Sequence, residues 1–512
     1  MDLYLLVASV LVITAILSTR ATARFGLPAL VLFVLIGMMA GSSGPGGIVF
    51  DDYALSLNVG LVALAVILFS GGLDTRMRLF RASLTPALGL ATAGVIVTML
   101  VIGGAAWLLT PLDVWQSLLL GAVLAPTDAA ATFSVLKGRG VPARLRGVLE
   151  TESGTNDPVG IYLTMALTTV LVSGQADGLA LAAGIAVQLA LGGLLGFLGG
   201  LALVWLLNRI KLEGFGLYPL LALAGGFLVY SGTNLVGGNG FLAVYLAGLV
   251  LGNRRVPHRQ NLVNFTDGLA WGAQIVMFLL LGLLVFPDQL PDILPVALLI
   301  TLVLTLVARP LAVFVCLEPL QRLTRHHDFS WREYALLSAA GLKGAVPIIL
   351  AIFPLLSQVE NGEAIFNIVF VVVVVSATVQ GLLIGPLAER LGLLRPEPPR
   401  APLQLELGGV TPAGSAILDV FLEPDTQAVG QRLRHVRLSR DVVIAAIYRD
   451  GELVTPRGDV VFRAGDHVFV ITRDVDRRGV PAVFTAKRRP GDGAPVSADG
   501  GPSPDEAGPD AP

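Results

Sequence analysis

A chain of 512 residues that is 54% hydrophobic and only 14% charged, with a mean hydropathy of +0.76, lies far from the roughly 25% charge of an average soluble protein. Most of its length runs as apolar segments of roughly 16 to 25 residues, enough to cross about 30 Å of hydrocarbon, which excludes a soluble multidomain protein and reads as a polytopic membrane protein. The formal net charge of −2 identifies no partner, and the single cysteine, Cys316, excludes an intrachain disulfide and a cysteine-based zinc site.

The first apolar segment, at about 3–18, has no basic stretch before it and is followed by Arg20 and Arg24 instead of a small-residue cleavage site, so a retained first helix is expected. Further spans are predicted at about 27–42, 58–73, 85–109, 114–136, 154–173, 179–207, 217–232, 239–252, 269–286, 293–316, 332–354 and 364–388, thirteen in all. Basic residues collect in alternate loops: Arg76, Arg78 and Arg81; Lys137, Arg139, Arg144 and Arg146; Arg209 and Lys211; Arg254, Arg255 and Arg259; Arg322 and Arg325. The intervening loops at 43–57, 174–178, 233–238, 287–292 and 355–363 hold no Lys or Arg. Cytoplasmic loops accumulate these residues, so the N-terminus is expected outside and the C-terminus in the cytoplasm.

An internal repeat is also visible. ALVLFVLIGMMAG (29–41) resembles FLAVYLAGLVLGN (241–253), and ILFSGGLD (67–74) resembles FLLLGLLV (278–285). An odd number of spans separates the halves, so they insert upside down relative to each other, the inverted-repeat plan of many secondary transporters.

Two predicted spans are interrupted at corresponding places. Pro126 and Thr127 break span five just before Asp128, and Gly341, Gly344 and Pro347 surround Lys343 in span twelve. Lipid does not tolerate the backbone groups so released unless they line a cavity, and two breaks facing each other are expected. Kinked, glycine-packed helices would explain the Pro and Gly but not an acid at one break and a base at the other. Asp157, in ESGTNDPVGIYLT (152–164), is a second intramembrane acid. Charge in that setting is costly and reads as an ion or proton site. The plainer reading of Asn156 and Asp157 is a helix N-cap followed by proline. That of Glu152 is a solvated acidic pair with Glu150.

APTDAAATFSVL, ESGTNDP, FSGGLD and GLKGAVP, in this order and spacing, resemble the monovalent cation:proton antiporter-1 family, the NhaP-type potassium or sodium/proton exchangers. The resemblance covers about residues 1–390. It implies a polytopic α-helical inverted-repeat fold in which a core moves against a dimerisation domain of a homodimer. It makes Asp157 the ion- and proton-binding carboxylate, with Asn156 beside it, Asp128 helping at the unwound segment, and Thr127 and Ser153 as ligand oxygens for a monovalent cation. Glu152 would pair with the basic residue of span twelve, often arginine in the family and Lys343 here. Arg309 would take a structural ion-pair or helix-end role. Asp74, at the end of FSGGLD, would serve cation access or simply end a solvated helix.

The chemistry points the same way. Potassium and sodium prefer oxygen ligands, and a desolvated carboxylate near a second acid holds its proton more tightly, so one site can alternate between cargoes. The expected partners are K+ or Na+, H+ and the lipid bilayer, with no nucleic acid, no cofactor and no enzymatic activity. A channel would use the same ligands, but a titratable site between interrupted helices favours alternating access. An intramembrane aspartyl protease would need YD and GxGD motifs, which do not occur.

After residue 392 the composition changes. Residues 393–403 read as a Pro- and Arg-rich linker, 404–485 as a small cytosolic α+β domain, and 486–512 as a disordered tail. AILDVFL, DVVIAAIYRD, ELVTP and HVFVIT are predicted strands, with Asp450-Gly451 as a hairpin turn and VGQRLRHVRL as a helix. This block is similar to the TrkA-C (RCK-C) regulatory domain of potassium transporters, over about residues 415–476. A nucleotide, by family analogy a cyclic dinucleotide, is the expected ligand. His326 and His327 read as a solvated pair without a metal partner.

Overall fold

The computed structural model describes residues 2–25, 28–136, 139–175, 178–214, 216–324, 329–396, 416–436, 438, 442–472 and 484. His326 and His327, residues 397–403 of the expected linker, residues 404–415 and the tail at 486–512 lie outside the described residues. The chain divides into two units, Met1–Pro396 and Glu397–Pro512.

The first unit is helical. Its helices are α1 (Asp2–Phe25), α2 (Ala29–Ala40), α3 (Tyr53–Asp74), α4 (Met77–Gly89), α5 (Val95–Leu109), α6 (Val114–Leu124), α7 (Ala129–Val135), α8 (Ala143–Ser173) and α9 (Gly178–Arg209). There follow α10 (Leu217–Leu235), α11 (Gly240–Gly252), α12 (Arg259–Leu283), α13 (Leu290–Val303), α14 (Arg309–Thr324), α15 (Trp331–Ala339), α16 (Val346–Leu356) and α17 (Gly362–Arg390). Single π-helical turns, Leu90–Gly94 and Leu304–Ala308, join α4 to α5 and α13 to α14 without a break. Among the described residues, six helical stretches are long and apolar enough to cross a membrane: 53–74, 77–109, 178–209, 259–283, 287–322 and 362–390.

Polar residues set the helix starts. Asp113 and Gln116 form a reciprocal capping box at α6, and Ser330 and Glu333 do the same at α15. The Asp52 carboxylate accepts from Leu55 N (2.8 Å) at α3, and Asn239 accepts from Leu242 N (3.0 Å) at α11. The sequence placed the start of span six near residue 154, but α8 begins at Ala143. Its first turns carry Arg144, Arg146 and Glu150, whose charge hides the start from a hydropathy reading. Asn156 and Asp157 consequently sit in mid-helix and do not form an N-cap.

Helices meet where small residues let backbones approach. Gly37 of α2 lies against Leu279 O and Gly282 of α12, and Gly72 of α3 lies against Tyr245 O and Gly248 of α11. A side chain at any of these glycines would collide with the opposing main chain.

In the second unit, β3 (Ala416–Phe421), β4 (Val442–Arg449), β5 (Glu452–Val454) and β6 (His467–Thr472) form an antiparallel sheet of order β3-β6-β4-β5. Strands β1 (Arg139–Gly140) and β2 (Arg395–Pro396) make a separate short pair within the first unit. Asp450 (φ 48°) and Gly451 (φ 95°) turn β4 into β5, both in the left-handed region that a two-residue hairpin requires. One face of the sheet buries Ile447, Val468 and Val470 with Leu422 and Phe462. Arg449 forms a forked pair with the buried Asp466, at 2.7 and 2.8 Å, and that hydrogen bonding raises its guanidinium above the ordinary arginine value. The described residues of VGQRLRHVRL do not form the expected helix. Gly430 takes φ 86°, its N–H bonds Phe462 O, and only a single 3-10 turn forms at Leu433–His435.

Candidate ion-binding site

The site is built where two helices come apart. After α6 the chain is non-helical from Ala125 to Asp128, and α7 restarts with the Asp128 carboxylate accepting from Ala131 N (3.1 Å). Opposite it, α15 ends at Ala339 and α16 begins at Val346. Proline without a donor and glycine without a side chain make both gaps possible, but the freed backbone groups need partners.

Each break supplies partners to the other. Asp128 N donates to Leu342 O (2.8 Å), and Thr132 Oγ1 donates to Ala340 O (2.9 Å). Lys343, fully buried, extends its Nζ to Ala125 O (3.0 Å) and Pro126 O (2.9 Å). Its charge thus sits at the negative C-terminal end of α6. Gly344 is required here, since a Cβ would overlap the Asp128 carboxylate.

Helix α8 crosses the break and brings the remaining groups. Asn156 Nδ2 donates to Thr127 Oγ1 (2.7 Å), and Ser153 Oγ accepts from Ala129 N (3.2 Å). Asn156 Oδ1 is buried without a protein hydrogen-bond partner. Asp157, Asp128, Thr127 and Ser153 together line one cavity of about 360 Å³. A cluster of carboxylate and hydroxyl oxygens is the kind of donor set a hard cation requires in place of its water shell.

The charge pairing differs from the sequence expectation. Glu152 does not meet Lys343; it is held by Arg309, with Nη1 to Oε1 at 2.7 Å and Nη2 to Oε2 at 3.4 Å, both residues almost fully buried. Arg309 Nη2 also reaches Leu337 O (3.4 Å) in the last turn of α15. The planar guanidinium can fork onto a carboxylate as an ammonium cannot, and Lys343 is occupied by the Ala125 and Pro126 carbonyls. Glu152 is therefore not part of a solvated pair with Glu150, which lies four residues from Arg146 and bridges to it at 3.5 Å.

Asp74, the last residue of α3, lines the same cavity as Asp157. So do Glu150, Tyr245, Trp271, Gln274 and Asp267, a residue the sequence reading passed over. Asp267 is an exposed acid on a mixed-polarity helix, and the only available signal was its position one helical turn before Trp271 and two before Gln274 on α12.

Two facing helix breaks beside a cavity lined by Asp157, Asp128, Thr127 and Ser153, with fixed counter-charges, define a membrane transporter of the interrupted-helix class. Residues 8–390 match the model of the transmembrane sodium/hydrogen exchanger family and residues 417–477 that of the TrkA-C domain, and the chain belongs to the sodium/hydrogen exchanger family. It is 38% identical over 487 residues to the K(+)/H(+) antiporter NhaP2 of Shewanella oneidensis, covering 94% of this chain and 83% of that protein. It is 40% identical over 490 residues to the K(+)/H(+) antiporter NhaP of Alkalimonas amylolytica, with the same coverage. The fold is also that of the sodium proton antiporter MjNhaP1 from Methanocaldococcus jannaschii at pH 8, with a TM-score of 0.62 and 21% identity over 74% of this chain and all of that one.

Proposed function

We propose that this protein exchanges a monovalent cation for protons, one for one, across the bacterial inner membrane in cation and pH homeostasis, without enzymatic activity. The observation that carries the reading is the placement of Asp157 with Asp128, Thr127 and Ser153 on one cavity at the crossing of the two breaks. A carboxylate there either holds a proton or replaces part of a cation's water shell, and the two uses exclude each other. The two cations buried among the described residues are committed elsewhere, Arg309 to Glu152 and Lys343 to the Ala125 and Pro126 carbonyls. This supports Asp157 as the exchangeable charge and, with the two cations fixed, an electroneutral cycle.

Potassium is favoured by the relatives named K(+)/H(+) antiporters at 38 and 40% identity. Sodium is the alternative, in view of 29% identity over 418 residues to the Na(+)/H(+) antiporter ApNhaP of Aphanothece halophytica. Taking α4 with α5, α6 with α7, α13 with α14 and α15 with α16 as single spans yields thirteen. An inverted repeat is supported by paired contacts: Gly37 on Gly282 and Gly248 on Gly72 exchange places under an offset of roughly 210 residues. The two π-turns follow nearly the same offset. Basic alternate loops favour an outside N-terminus and a cytoplasmic TrkA-C unit. A homodimer, and a nucleotide or cyclic dinucleotide bound by the TrkA-C unit, belong to the same reading and act through regulation.

The test is purified protein in liposomes carrying a trapped pH dye, given potassium, sodium or lithium pulses. Proton movement is expected on cation addition, unchanged by an imposed membrane potential and abolished by Asp157→Asn, whose amide keeps the shape but cannot release a proton. Wild-type exchange by that variant defeats the assignment of Asp157.

A further inference from the structure

A second cleft, of about 180 Å³, lies between α4, α8, α9 and α11. Its walls include Leu84 and Leu88 of α4, Leu189 of α9, and Leu242 and Leu246 of α11. The polar lining residues are Thr92 and Thr155, and each hydroxyl donates back to its own helix, Thr92 to Leu88 O at 2.7 Å and Thr155 to Thr151 O. The threonines therefore add little polarity to the cleft. A stable water needs two to four polar partners, which these walls do not provide, so the fitting occupant is hydrocarbon. Leu88 is 40% exposed at the rim, and in a chain that spans a bilayer that rim meets acyl chains.

Position along α4 adds a headgroup contact. Arg81 is exposed and precedes Leu84 and Leu88 by three and seven residues, the spacing that puts all three on one helix face. Arg76 and Arg78 surround the same helix end. Basic residues bordering a crevice between membrane helices fit a phosphate headgroup. The geometry points to a binding site for an anionic phospholipid, with its phosphate at Arg81 and one acyl chain in the cleft between α4 and α11.

The location gives such a lipid leverage. Thr155 and Val159 face the cleft, whereas Ser153 and Asp157 face the ion cavity, so the two spaces lie on opposite sides of α8. A chain wedged there biases α8 against α11 only to the extent that it fits one conformation better than another. That consequence rests on the exchanger reading; the binding itself does not, and its test measures no transport.

The test uses the full chain in phosphatidylcholine nanodiscs containing a trace of phosphatidylglycerol with a photoactivatable group in mid-chain. Label is expected to concentrate on peptides holding Leu84–Leu88 and Leu242–Leu246, and unlabelled phosphatidylglycerol should displace it while added phosphatidylcholine should not. Leu246→Trp, which fills the cleft, should lower that labelling about fivefold and Arg81→Gln about threefold, with labelling at the outward-facing Leu306 and Leu311 of the α13–α14 span unchanged as the folding control. Even labelling over all lipid-facing helices, or equal displacement by the two lipids in the wild-type protein, overturns the proposal. So does wild-type labelling of Leu246→Trp.

Discussion

Replacing Arg309 by methionine tests whether Glu152 is balanced by Arg309 or by Lys343. The substitution keeps much of the side-chain volume but removes the 2.7 and 3.4 Å contacts to Glu152 and the 3.4 Å contact to Leu337 O. It leaves a carboxylate only 1% exposed with no direct counter-ion. Breaking a buried pair in this way costs about 3–5 kcal/mol. Domains of 150–250 residues lose roughly 2–4 °C per kcal/mol and longer chains less, so a fall of roughly 5–10 °C is expected in detergent melting curves. Glu152→Gln alone should lower the melting temperature similarly, and the double variant should recover most of the loss, a coupling of roughly 2–4 kcal/mol. The same cycle with Lys343→Met should be nearly additive, with coupling below about 1 kcal/mol, because Lys343 bonds the Ala125 and Pro126 carbonyls and does not touch Glu152. Equal or larger coupling to Lys343 would refute the pairing.

Asp267→Asn should raise the apparent KM for the cation by about two- to fivefold at low ionic strength and leave the maximal rate unchanged, since a charge at a cavity mouth acts by concentrating cations. The effect should shrink above 0.15 M salt, and a KM insensitive to Asp267 at low salt removes it from the access path. Gly344→Ala, whose Cβ would occupy the position of the Asp128 carboxylate, should cost about 1–3 kcal/mol and at least tenfold in exchange. Adding Asp128→Ser should recover stability, and wild-type melting and exchange by the single variant would contradict the geometry of the break. Truncation after residue 395 should leave a membrane-inserted exchanger with altered pH dependence or cation affinity; a truncated protein that inserts but exchanges nothing would make the TrkA-C unit part of the transport machinery.

Periodicity and composition were enough to read the interrupted helices, because Pro126, Gly341 and Gly344 act locally on the backbone. They were enough to single out Asp157, because an acid in an apolar run is conspicuous. Pairing was not legible: Glu152 and Arg309 are separated by 157 positions, and Arg309 follows a π-turn that shifts the helical register of its side chain. With two buried cations available to Glu152, the choice depends on which reaches it with a fork. Asp267 stayed hidden for the opposite reason, since an acid on a polar helix face looks like solvated surface. In the TrkA-C unit, Val429, Leu433 and Val436 mimic a helical stripe, but Gly430 in the left-handed region ties the segment to Phe462.

The way the breaks are satisfied bears on how one site can serve two cargoes. A break in a membrane helix leaves carbonyls and amides that a bound ion could be needed to satisfy, and the empty site would then be unstable. Here Lys343 takes Ala125 O and Pro126 O, Arg309 reaches Leu337 O, and Asp128 N takes Leu342 O. The backbone of the crossing is thus held by protein groups, with no bound ion needed to satisfy it. What remains open to the cavity is the carboxylate of Asp157 and the oxygens around it. On the proposed reading, loss or gain of a cation at Asp157 would change the charge state of one side chain without unmaking the scaffold, and that separation between a satisfied frame and one exchangeable carboxylate is what would let the site alternate between a proton and a metal ion.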